Sequence, residues 1–101
     1  MIEAKWQAPC DLRLTGHAGF APVGGDIVCA GVSALWGALS YELDDWQDKG
    51  RGRLLEEDGL LCFCPEARWE REAVALFRLT WRGLEMIAGS YPANVRTEKN
   101  W

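Results

Sequence analysis

Apolar residues in this chain keep two different periods, and the change from one to the other constrains the fold more than any other feature. Across residues 2–8, Ile2, Ala4, Trp6 and Ala8 alternate with Glu3, Lys5 and Gln7. That spacing puts every second side chain on one face of a half-buried strand. Residues 10–15 repeat it, with Cys10, Leu12 and Leu14 set between Asp11, Arg13 and Thr15. Pro9 and Asp11 at the junction predict a tight hairpin. From Asp26 the spacing becomes helical: Ile27, Val28, Gly31, Val32, Leu35, Trp36, Leu39 and Leu43 form one broad apolar face. Asp26 has the chemistry of an N-cap, because its carboxylate accepts from the unpaired N–H groups of a first turn. Between the two patterns lies a loop over residues 17–25, in a stretch that holds Gly16, Gly19, Gly24 and Gly25.

Gly50 and Gly52 interrupt the helical run, and RLLEEDGLLCFCP, residues 53–65, reads as two short strands around an Asp58-Gly59 turn. A second helix is expected after Pro65, with Trp69, Ala73, Leu76, Phe77, Thr80, Leu84, Ile87 and Tyr91 on one side and Pro92 stopping it. Residues 93–101 read as a polar tail with a short strand at Val95. The chain has 101 residues and a hydrophobic fraction of 49%, which suits a single domain over residues 1–101. The element order predicts an α+β fold, two long helices packed on a small mixed or antiparallel sheet. Of the tryptophans, Trp36 and Trp81 fall at core-facing helical positions, and Trp101 is expected at the surface.

Several function classes are disfavoured. The formal net charge is −4, and Arg51, Arg53, Arg68, Arg71 and Arg96 are interleaved with acids. A phosphate backbone needs a clustered basic surface, so no direct nucleic-acid partner is expected. No stretch approaches the ~20 apolar residues that span a bilayer. MIEAKWQAPC at the start carries an acid at position 3 and alternates apolar with polar residues, so it does not read as a signal peptide, and a cytoplasmic location is expected. Four cysteines are an even count, yet without a secretion signal free thiols are the expectation. Cys62 and Cys64 lie two apart, on one side of a strand, and are read as small core hydrophobes. A zinc site would need Cys10, Cys62 and Cys64 to converge with His17 or Cys29, and no C-x-x-C spacing is present.

The sharpest chemical signal is the pairing of His17, the only histidine, with Cys29 across the glycine-bearing loop. A thiol is a weak nucleophile until it loses its proton, and a helix N-terminus and a neighbouring imidazole both favour the thiolate. With Asp26 as N-cap, Cys29 falls in the first helical turn, where free N–H groups are also expected to hold an oxyanion. His17, at the end of the preceding strand, can approach the same helix end and later protonate an amine leaving group. Ser33 lies one turn beyond Cys29, with reach to the thiol or the loop. Residues 18–25 have the composition of a lid that orders only over substrate. A side chain at Gly16 is expected to obstruct substrate without affecting stability.

GHAGFAPVGGDIVCAGVSAL, residues 16–35, resembles the signature of the Prp family of bacterial ribosomal-processing cysteine proteases. The matching positions are Gly16, His17, Ala18, Asp26, Ile27, Val28, Cys29, Ala30 and Ser33, and the loop length fits. Element order and a second helix ending in Tyr91-Pro92 extend the resemblance along the chain. It departs from the family at Gly31, where an alanine is common, and in its longer polar tail. The resemblance implies a cysteine endopeptidase with Cys29 as nucleophile and His17 as general base, supported by Gly16, Ala18, Asp26 and Ser33. The implied substrate is a short N-terminal extension, ending in bulky apolar residues, on protein twenty-seven of the large ribosomal subunit. An α+β fold and a homodimer are implied as well, and no metal or cofactor. The competing reading is a non-catalytic, ribosome-associated or protein-binding module of the same fold; the presence of both His17 and Cys29 favours the enzyme.

Overall fold

Alternating apolar residues pair across strands so that one face of a sheet is apolar, and two helices cover that face. The computed structural model describes residues 1–22 and 24–101. Its elements are β1 (Ile2–Ala8), β2 (Asp11–Thr15), α1 (Ile27–Asp48), β3 (Gly52–Glu57), β4 (Leu60–Pro65), a 3-10 turn (Ala67–Trp69), α2 (Glu70–Ser90) and β5 (Val95–Lys99). The sheet order is β3-β4-β2-β1-β5. β1 and β5 run parallel and the other neighbours antiparallel, so the α+β fold with a mixed sheet is the one present.

Register explains where the core sits. Trp6 lies opposite Leu12 and Ala4 opposite Leu14; Leu12 faces Leu61, Phe63 faces Leu54 and Ile2 faces Val95. Directly paired residues point to the same side of a sheet, so this row meets Val32, Leu39 and Leu43 of α1 and Ala73, Phe77, Trp81 and Leu84 of α2 in one core. The helices approach each other at glycines. A Cβ at Gly31 would lie 3.3 Å from Ile87 Cδ1, and one at Gly83 would lie 2.7 Å from Leu35 Cδ2. Gly31 is therefore a point of close helix contact.

One sequence expectation needs correcting. Cys62 and Cys64 are not core residues: with helices on one face only, Leu61 and Phe63 take the inside, and the alternation turns both cysteines to the open face, where Cys64 is exposed. Trp36, core-facing as expected, is half-buried and packs against the core, and Trp6, Trp46 and Trp81 are the buried indoles. The polar tail carries the short strand expected at Val95, as an edge strand of the sheet. Val95 fills a core position, while Arg96 pairs with Glu3, and Lys5 with Glu98, across the open face. Trp101 remains 44% exposed but stands edge-on to Trp6, with ring centroids 4.8 Å apart.

Candidate active site

β2 delivers His17 to the site through a turn that only glycine accommodates easily. Gly16 has φ +86°, and a Cβ there would lie 2.2 Å from the carbonyl oxygen of Met1. An L-residue is strained at that φ, and the Met1 backbone leaves no space for its side chain. Gly16 is thus a packing requirement of the strand end, which corrects the expectation that a side chain there would affect substrate alone.

From the other direction, Asp26 starts α1 and ties the preceding loop to it. Its Oδ1 accepts from the N–H groups of Val28 (3.0 Å) and Cys29 (2.9 Å), and its Oδ2 from those of Phe20 (3.1 Å) and Ala21 (3.4 Å). These donors, the Cys29 N–H foremost, hold the Asp26 carboxyl below its ordinary value of 3.8, against the opposing effect of partial desolvation. The N–H of Ala30 bonds to the Asp26 carbonyl. The N–H groups of Val28, Cys29 and Ala30 are therefore occupied by Asp26, so these three are taken among the donors expected at the helix start.

Cys29 sits half-buried in the first turn of α1, and its Sγ accepts the N–H of Ala18 at 3.3 Å. Ala18 is itself buried, and its carbonyl accepts from Asn94 Nδ2 at 2.9 Å. Phe20 stands edge-on to Tyr91, with centroids 5.3 Å apart, and the Gly25 N–H donates to the Pro22 carbonyl. Within the segment 18–25 that the sequence reads as a lid, Ala18, Phe20 and Ala21 are held by a carboxamide, a carboxylate and a ring contact; Val23, within the same segment, lies outside the described residues.

His17, Cys29, Ser33 and Gly16 all line one cleft of about 580 Å³. Ile2, Leu14, Val32 and Trp36 give it apolar surface, and Asp58 and Gly59 from the β3–β4 turn complete the rim. The ring of His17 is exposed, and among the described residues no hydrogen bond joins it to the thiol. Catalytic hydrogen bonds commonly tighten only once substrate is bound. Ser33 is exposed in the same cleft and makes no side-chain hydrogen bond among the described residues. Ala18 and Asp26 do not line the cleft. No sequence pattern marks Asn94; an asparagine two residues after a proline looks like an ordinary turn residue, and its bond to Ala18 joins positions 76 apart.

The other thiols sit in different surroundings. All four cysteines are free. Burial pushes Cys10 up to about 11, with Cys62, Glu70 and Cys64 adding to the effect. Burial, then the charge of Asp11, also raises Cys62. Among the described residues no group of three or more histidines, cysteines or acids could hold a metal ion. Among the same residues no helix is long and apolar enough to cross a membrane.

Over residues 1–96 the chain matches the family model described as cysteine protease Prp. Among solved structures it is similar to an essential ribosomal processing protease Prp from S. aureus in complex with a covalently linked product peptide, at 22% identity and a TM-score of 0.70, covering 97% of this chain and 96% of that one. It is also similar to SMU.848 from Streptococcus mutans, at 27% identity and a TM-score of 0.64, covering 98% and 93%. The S. aureus protease in complex with a substrate peptide aligns at 21% identity and a TM-score of 0.62, over 97% and 96%. No curated protein matches the chain significantly.

Proposed function

Because the chain belongs to the Prp family of cysteine proteases, we propose that Cys29 and His17 form its catalytic dyad and that its substrate is the N-terminal extension of protein twenty-seven of the large ribosomal subunit. The observation that carries this reading is the single cleft shared by His17 and Cys29, with the Ala18 N–H directed at the sulfur. That N–H orients the sulfur at the cleft, 3.3 Å away. His17 takes the thiol proton, and the sulfur attacks the scissile carbonyl carbon to give a tetrahedral oxyanion. Its collapse breaks the C–N bond while the imidazolium protonates the leaving amine, which is the new N-terminus of the ribosomal protein. Water, deprotonated by the same imidazole, then attacks the thioester and releases the extension as a free carboxylate. No metal or cofactor enters these steps.

The remaining site residues have supporting roles in this reading. Asp26 fixes the start of α1 and the loop, Ala18 supplies the donor to sulfur, and Gly16 lets the chain turn so that His17 reaches the cleft. Ser33 lies along the cleft as a polar contact for the peptide. The apolar surface of Leu14, Val32 and Trp36 suits bulky apolar residues before the cut. The setting is the cytoplasm, where ribosomal subunits assemble, and the working unit is a homodimer, which sedimentation of the purified protein tests.

The functional test is to incubate the protein with extended and already trimmed forms of the ribosomal protein and follow intact mass. The extended form alone loses its N-terminal segment. Cys29→Ala leaves it uncut, and His17→Ala slows the cut by roughly 100- to 10,000-fold, the usual contribution of a general base. Binding of the extended form without any mass change in wild type would favour the non-catalytic module instead.

A further inference from the structure

The turn joining α2 to β5 lies far along the chain from the His17–Cys29 loop, yet it touches that loop twice. Tyr91 packs edge-on against Phe20. Asn94 donates from Nδ2 to the carbonyl of Ala18 at 2.9 Å. Asn94 is itself fixed on both sides of its backbone: its N–H donates to the Tyr91 carbonyl (2.9 Å), and its carbonyl accepts the N–H of Ile2 (2.8 Å). The carboxamide therefore extends from a rigid junction between the end of α2 and the first residue of β1.

Ala18 is held at both of its polar atoms, with its N–H on Cys29 Sγ and its carbonyl on Asn94. Two such bonds on one residue leave its φ and ψ little freedom. The first fixes the peptide that joins His17 to Ala18 and the second the peptide that follows Ala18, so the backbone on both sides of Ala18 is held. We infer that Asn94 is a positioning residue for the dyad, acting through Ala18 to hold the N–H on the cysteine sulfur and the histidine at the cleft. Asn94 itself does not line the cleft, so it touches neither substrate nor the reacting atoms. The inference rests on the dyad reading above.

The test compares Asn94→Ala and Asn94→Asp with wild type. Asp keeps the shape of Asn but, ionised at neutral pH, has no N–H to give the Ala18 carbonyl. Two measurements are made: kcat and KM on the extended ribosomal protein, and iodoacetamide labelling rates at pH 7 for Cys29 relative to exposed Cys64, by peptide mapping. Half-buried Cys10 reports the fold, because loosening of the core would speed its labelling. Both variants are expected to lower kcat and the Cys29-to-Cys64 labelling ratio by about three- to tenfold, the effect of losing one hydrogen bond. KM stays within about twofold and Cys10 stays slow. An unchanged labelling ratio and kcat in both variants would overturn the inference. So would losses that track faster labelling of Cys10 in both, which would make Asn94 a fold residue only. Labelling needs no peptide, so a reduced ratio in a protein that fails to cut the ribosomal substrate would keep the positioning role and overturn the proposed substrate.

Discussion

Gly16 shows how much a single backbone position governs the site. Its positive φ and the 2.2 Å approach of a would-be Cβ to the Met1 carbonyl place the cost of any side chain within the fold as well as in the cleft. The strain of an L-residue at that φ is roughly 1–2 kcal/mol, and the overlap with backbone adds to it. Gly16→Ala is accordingly expected to lower the melting temperature and the activity together. Activity lost at an unchanged melting temperature would return Gly16 to a role against substrate alone. Residues of this kind are only half legible in a sequence. The string from Gly16 to Ser33 marks the candidate site, but the partners that hold it, Met1 and Asn94, come from both ends of the chain. No local spacing reports a contact between positions 18 and 94.

At the scale of elements, α1 and its cap are the parts most clearly written in the sequence. Asp26 before a helical apolar face predicted the N-cap, and its Oδ1 does accept from Val28 and Cys29. The second oxygen, which holds Phe20 and Ala21, carries no pattern of its own, which is why residues 18–25 read as a free lid. The depressed carboxyl gives a pH test. A group with a lowered folded value stabilises the protein above its ordinary value of 3.8 and loses that contribution as pH falls through the folded value. Asp26→Asn, which still caps but cannot serve both sets of donors as an anion, should melt below wild type at pH 7. The gap should narrow as pH drops through and below 3.8; an equal gap at all pH values would remove Asp26 as the anionic tie. The cysteines of β4 show the opposite case. Leu61 and Phe63 alternate with Cys62 and Cys64, so both faces of that strand are apolar in sequence, and period two alone cannot say which faces the helices.

Across the whole molecule, the termini are joined through the sheet. The parallel pairing of β5 with β1 closes the edge beside the first strand, and Trp6 at its centre packs on Trp81 and Trp101. The tail reads as polar because an edge strand with one open face contributes few core residues, here Val95. Trp6→Ala should destabilise by about 3–5 kcal/mol, the range for a buried aromatic. Trp101→Ala, which removes an exposed edge contact, should cost no more than about 1.5 kcal/mol. Thermal and urea unfolding of the two variants test this ranking, and equal losses would contradict the placement of Trp101. The same closure brings Asn94 against Ala18, so that the sheet edge and the His17–Cys29 loop are tied together.

The central claim is that the bond to substrate forms at the sulfur of Cys29. It is tested most directly by quenching a reaction with the extended ribosomal protein in acid and mapping the protease by mass. The account predicts an adduct equal to the released extension less one water, on the peptide bearing Cys29 and absent from Cys29→Ala. The same adduct on Cys10, Cys62 or Cys64, or continued cleavage by Cys29→Ala, would contradict it.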